Sequence, residues 1–346
     1  MSSGRIRIGA LGLTVLSLIA VPAGQATAAN ATPSASASAS APTASSAGVA
    51  VDKAKREVAR ALARSLSDKR WSAEVAAQTR GNKAVMLQGL TPRAATSATR
   101  SLARVVSEQE RSVAKAKGLS AETGPLLRLR AAGSPHAAAP AAGRVLVAAA
   151  TSDDHASTIT AYDAEGRAHT LDARSAPRQA VYVVDLDTAR TRAAGMEVLQ
   201  EELAKNGLAA SKAARSKVSG PAGRPNGQES AASGDKGFWA TKIKEIQVSD
   251  AQEPWFKGEA DVFALVAGYD LDGKARVDAV AYLDWANTAY QPGQILVNWS
   301  NYKFDTADVI LWEDDGDINY KALAQSLSRS CSPSPTRPPS SPWPQR

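Results

Sequence analysis

The chain has 346 residues, 44% of them hydrophobic, and 41 Lys and Arg against 34 Asp and Glu for a formal net charge of +7. It has a single cysteine, Cys331, which excludes any intramolecular disulfide, so stability has to come from packing or from bound ions. The basic residues are dispersed through Ala-rich segments without interleaved aromatic residues, a pattern that argues against a nucleic-acid partner.

Taken in chain order, Arg5 and Arg7 precede an apolar run from Ile8 through Val21, and Ala26-Thr27-Ala28 supplies small residues at cleavage positions. That run is short for a membrane span, so residues 1–28 read as a cleavable signal peptide and the mature chain as secreted and extracellular, with no transmembrane segment. Residues 29–50 are almost wholly Ala, Ser, Pro and Thr and read as a disordered linker, because they cannot bury enough apolar surface to offset their ordering entropy.

Residues 51–210 form a basic helical and mixed region. Val51, Val58, Leu62 and Leu66 share one helical stripe, with Trp71 expected to close the small core beside it. A second helix is expected from Ala94 to Lys117, with Leu102, Val105, Val106 and Val113 on its apolar face and Gly118 as its stop. Short strands follow at Val145 to Val147 and Thr158 to Tyr162, then the turn Asp163-Ala164-Glu165-Gly166 and a return strand through Leu171. Val181 to Val184 adds a buried strand, and a helix from about Thr188 to Lys205 ends at Asn206-Gly207. Residues 211–236, rich in Gly, Ser, Pro and Lys, read as a linker.

Residues 237–327 reverse the charge, with fifteen acidic against seven basic residues, and carry five of the seven tryptophans. Short runs at Ile243 to Val248, Val262 to Ala267, Arg276 to Leu283, Gln294 to Trp299 and Val309 to Trp312, punctuated by Asp272-Gly273 and Gln291-Pro292-Gly293, point to a β-sandwich closed by a helix from Asn319 to Leu327. The fold class is therefore α+β: an N-terminal helical and mixed region, then a C-terminal sandwich that could be C2-like. Residues 328–346, rich in Pro, Ser and Arg, read either as a disordered tail or as out-of-frame translation of a GC-rich gene.

The runs Asp250-Ala251-Gln252-Glu253-Pro254-Trp255-Phe256-Lys257-Gly258-Glu259-Ala260-Asp261-Val262-Phe263, Tyr282-Leu283-Asp284 and Trp312-Glu313-Asp314-Asp315 through Asn319-Tyr320 resemble the uncharacterised secreted bacterial family DUF3103. The resemblance implies export and a shared fold and supplies no activity.

Read from the residues, Asp250, Glu253 and Asp261 flank one loop, and Glu313, Asp314, Asp315 and Asp317 crowd another. Oxygen ligands pooled from two loops at one end of a sheet suit Ca²⁺, and a cation would relieve the repulsion among four carboxylates in five residues. Tyr320 stands where an EF-hand loop needs Gly, which excludes that motif, and plain surface acidity is the competing reading. The chain has no nucleophile elbow, phosphate-binding Gly loop or metal-type Cys/His cluster, its histidines being only His136, His155 and His169. The expectation is a secreted, non-enzymatic, divalent-cation-binding module that recognises an extracellular surface, polymer or protein. The alternative is a secreted hydrolase using paired carboxylates, for example Asp278 with Asp284 or Asp261 with Glu313, with exposed Trp as a sugar platform.

Overall fold

The computed structural model describes residues 14–19, 45–80, 83–90, 95–133, 145–153, 155–179, 181–210, 238–247, 254–257, 262–280, 283, 294–314 and 316–331. Its elements in chain order are β1 (Thr14–Ile19), α1 (Ser45–Ser65), α2 (Lys69–Gln78), β2 (Val85–Met86), α3 (Ser97–Ala116), β3 (Leu127–Ala132), β4 (Val147–Ala149), β5 (Thr158–Tyr162), β6 (Ala168–Asp172), β7 (Val181–Leu186) and α4 (Thr188–Lys205). They continue with β8 (Ala209–Ala210), β9 (Ala240–Lys242), β10 (Val262–Tyr269), β11 (Ala275–Val280), β12 (Ile295–Asn298), β13 (Thr306–Glu313) and α5 (Tyr320–Cys331). The class is α+β, as its patterning predicts. No described helix is long and apolar enough to cross a membrane.

The expected helical stripe is the buried face of α1: Val51, Val58, Leu62 and Leu66 all lie in the main core, and Trp71 joins them with its indole N–H donating to Ser65 Oγ at 3.0 Å. Helix α3 starts where Thr96 and Thr99 cap each other's backbone N–H groups and stops at Gly118, whose φ of 70° is left-handed. Helix α1 differs at its start. It reaches back to Ser45, so the last residues expected in the linker are helical, because Ala47 and Gly48 find buried packing there.

A six-stranded sheet has the order β2-β3-β7-β4-β5-β6, with β7 antiparallel to β3 and parallel to β4. All six residues of β7 are buried, in keeping with the apolar run from Val181 to Val184: Tyr182, Val184 and Leu186 face the core shared with α1 and α3, whereas Val181 and Val183 face a second cluster.

The acidic half is built on a sheet of order β1-β13-β10-β11-β8. One face of β10, through Phe263 and Leu265, packs into the main core with Leu199 and Leu203 of α4 and Tyr320 and Leu323 of α5. The other face, through Val262, Ala264 and Val266, packs on Leu296 and Val297 of the two-stranded sheet β12-β9. A C2-like pair of equal sheets is thus not what stands here; helices cover one face and a small sheet the other. The expected boundary at residues 211–236 lies outside the described residues, and the elements on its two sides share the main core. Strand β1 falls inside the expected signal peptide and pairs antiparallel with β13, Thr14 opposite Leu311 and Ile19 opposite Thr306.

Helix α5 corrects the expected end of the fold. It continues past Leu327 to Cys331, because no proline intervenes before Pro333, and Ser328 is buried with its hydroxyl donating to Ala324 O at 2.8 Å. Helices α4 and α5 approach closely at Gly195, where a Cβ would stand 2.3 Å from Tyr320 Cε2. Gly195→Ala is therefore expected to destabilise the protein by about 1–3 kcal/mol through overpacking, read as a lower urea midpoint.

Candidate functional site

Among the described residues, a cluster of buried ionisable groups lies where α3 ends and α5 begins. Lys117 is the residue that closes α3, and its side chain is 0% exposed. Its ammonium donates to Asp314 Oδ1 at 2.8 Å and to Oδ2 at 3.1 Å, and it sits 5.3 Å from the centroid of the Tyr320 ring. Asp314 follows β13 directly. Its carboxylate also accepts the Gly316 N–H at 3.0 Å and the Tyr320 hydroxyl. Asn319 joins the two helices: its amide donates to Ala116 O at 2.8 Å at the end of α3, and its side-chain oxygen accepts Ala322 N–H at 2.9 Å in the first turn of α5.

Burial alone would push the Asp314 carboxyl up, but the Lys117 ammonium and the hydrogen bonds from Lys117, Tyr320 and Gly316 prevail and hold it below the usual carboxylate range. Asp317 goes the other way. Burial and then the negative charge of Asp314 push its carboxyl up, opposed by the ammonium groups of Lys117 and Lys257.

The centre extends to α1. A Cβ on Gly48 would meet both Ser152 Oγ at 2.8 Å and Asp317 Cβ at 3.2 Å, so the start of α1 lies between those two side chains. Beside it Asp52 accepts Thr151 Oγ1 at 2.8 Å and Ser152 N–H at 3.0 Å, and pairs with the buried Lys55 at 2.9 Å.

A third segment arrives from residues 254–257. Phe256 is 0% exposed and inserts among Ala148, Ile159, Val181 and Val183 on the open face of the six-stranded sheet. Trp255 meets it edge-on at 5.7 Å and donates its indole N–H to Asp172 O at 3.0 Å, while the Arg130 guanidinium donates to Lys257 O. The Lys257 charge of this segment is near enough to Asp317 to act on its carboxyl.

The expected cation ligands fare unequally. Asp250, Glu253, Asp261 and Asp315 lie outside the described residues. Glu313 is exposed at the end of β13, Asp314 points inward with an ammonium as its counter-ion, and Asp317 is half-buried. Among the described residues no three His, Cys, Asp or Glu come together to hold a metal ion. Of the paired carboxylates, Asp284 is outside the described residues, and Asp278 is held by Arg276 Nε at 2.8 Å and the Tyr302 hydroxyl at 3.0 Å. Asp270 is a turn residue, accepting the N–H groups of Asp272 and Lys274 at 3.0 and 2.8 Å.

Compared with known protein families, the chain matches the model of DUF3103, a protein of unknown function, over residues 55–333. The chain belongs to the DUF3103 family. No curated protein and no solved structure matches it. The family match spans the Lys117–Asp314 centre, the 254–257 segment and all of α5, so the helix through Cys331 falls inside the DUF3103 region.

This DUF3103 chain has one further feature, at the far end of the acidic half. Trp239 is 84% exposed and Phe238 is exposed beside β9 of the two-stranded sheet, and Tyr269, Leu271 and Phe304 are exposed beside β10 and β13 of the sheet it packs on. Backbone hydrogen bonds order them relative to one another: Trp299 N–H to Trp239 O at 2.9 Å, Tyr302 N–H to Trp299 O at 3.1 Å and Lys303 N–H to Tyr269 O at 3.0 Å. Tyr269 and Phe304 stand edge to face at 6.1 Å, with Lys303 Nζ 5.9 Å from the Phe304 ring.

Proposed function

We propose that this DUF3103 protein is a non-enzymatic recognition module that binds an extracellular saccharide polymer through the aromatic end of its acidic half. The observation that carries the reading is Trp239, a large ring left 84% exposed in a chain that buries most of its apolar side chains. Tyr269, Phe304 and Leu271 extend the surface, and Asp270, Asp272 and Lys303 put charged groups at its rim. Aromatic faces stack on the C–H faces of sugar rings while rim carboxylates and ammonium groups take the hydroxyls. The paired-carboxylate hydrolase has less support, because Asp278 is bound by the neighbouring Arg276 guanidinium.

Co-sedimentation with insoluble cellulose, chitin and peptidoglycan sacculi tests the reading. Wild-type protein is expected to sediment with at least one of them, and Trp239→Ala, which alters an exposed residue, to weaken that binding by about thirty-fold, or about 2 kcal/mol. Retention of none of the three by wild-type protein, or equal retention of wild type and Trp239→Ala, would refute it.

A further inference from the structure

The Lys117–Asp314 contact has the makings of a bond. We propose that Lys117 and Asp314 condense into an intramolecular amide that joins the end of α3 covalently to the segment after β13.

The geometry meets the requirements of such a reaction. The Lys117 nitrogen lies 2.8 and 3.1 Å from the two carboxylate oxygens of Asp314, which places it against the carboxyl carbon, and the two side chains are 0% and 1% exposed. Reactants fixed in this way reach effective molarities of about 10⁵–10⁸ M, and the absence of water removes the competing hydrolysis. Two charges buried together are each costly to desolvate, whereas an amide is neutral, so condensation relieves that cost.

The neighbours suit the chemistry as well. The Gly316 N–H and the Tyr320 hydroxyl already bind the two Asp314 oxygens, where they would stabilise the oxyanion of a tetrahedral intermediate. Asp317, whose carboxyl burial and the Asp314 charge push up, is the adjacent acid able to protonate the departing oxygen. Proton transfer within the ion pair first frees the amine lone pair. The Nζ–Cγ bond then forms and one Cγ–O bond breaks. Of the three ammonium protons one remains as the amide N–H and two leave with the oxygen as water, so atoms and charge balance without a co-reactant. In a chain whose single cysteine rules out an internal disulfide, such an amide would be a covalent closure across 197 residues of sequence.

Intact-mass spectrometry of the denatured full chain decides the matter, after terminal residues have been assigned by peptide mapping. The expected mass is that of the sequence less one water molecule, and proteolysis is expected to yield one branched peptide containing both Lys117 and Asp314. Lys117→Arg is expected to restore the full mass. Asp317→Asn, which leaves the pair in place, is expected to be recovered with part of the chain still at full mass. A wild-type chain at full mass with linear peptides at both positions overturns the proposal, and so does a water loss that maps elsewhere or persists in Lys117→Arg.

Discussion

Lys117→Met is expected to cost the protein about 3–5 kcal/mol, because it leaves the Asp314 carboxylate buried without its counter-ion. Asp314 is held by Lys117, Tyr320 and the Gly316 N–H, and only the first of these brings a positive charge. The loss is expected to reach beyond the site. Lys117 closes α3 and its carbonyl accepts the Tyr320 N–H at 3.0 Å, so the pair fixes where α5 docks, and α5 supplies Tyr320 and Leu323 to the main core. Urea unfolding measures the change. The double replacement Lys117→Met with Asp314→Leu is expected to recover much of it, since an apolar pair of similar volume carries no desolvation cost. A midpoint for Lys117→Met within error of wild type would show that the contact does not contribute to the fold. The pH dependence has a fixed sign. A carboxyl whose folded-state pKa is depressed contributes stability above its unfolded pKa, and that contribution is lost as pH falls through the folded value. An amide at Asp314 would abolish this titration, so an acid-insensitive wild type together with a full-strength loss in Lys117→Met would accord with the covalent form.

The helices were legible because their signals are local. The 3.6-residue stripe of α1, the stop at Gly118 and the close of α4 before Gly207 each follow from a few neighbouring residues. The strands of the acidic half were legible as elements but not as layers: nothing within β10 says that Phe263 and Leu265 meet α4 and α5 while Val262 and Ala264 meet β12. Asp314 could be picked out as one of a crowded acidic group, yet its role could not. The partner that neutralises it is Lys117, 197 residues away, and a lysine in the last turn of a helix reads as an ordinary favourable end charge. Lys55 and Asp52 were missed as well, since a polar residue inside an Ala-rich helix carries no local mark of burial. The exposed aromatic residues ran the other way. Five tryptophans in the acidic half can be counted from the sequence, and only the fold shows that Trp239 is one left outside the core.

Phe256→Ala is expected to cost about 3–5 kcal/mol. The ring is 0% exposed although it belongs to a four-residue described segment with no regular secondary structure, and it is buried against the face of the six-stranded sheet with Trp255 beside it. The residues that receive it are small: Ala132, Ala148, Ala150 and Ala161 surround it with Ile159, Val181 and Val183. Alanines on a sheet cannot close over a lost phenyl ring, so the cavity persists and its cost adds to the lost transfer energy. Trp255→Ala is expected to cost less, because that ring is only half-buried and forfeits one hydrogen bond, to Asp172 O at 3.0 Å. The two variants together distinguish how the segment is held. If Phe256 anchors it as part of the cooperative fold, Phe256→Ala lowers the urea midpoint of the whole protein and Trp255→Ala lowers it less. If the segment opens independently, the global midpoint stays put in both, and the amides of β4 and β7 beneath it exchange faster in Phe256→Ala alone. An unchanged midpoint with unchanged exchange would mean that the Phe256 side chain does not fill the face on which the structure places it.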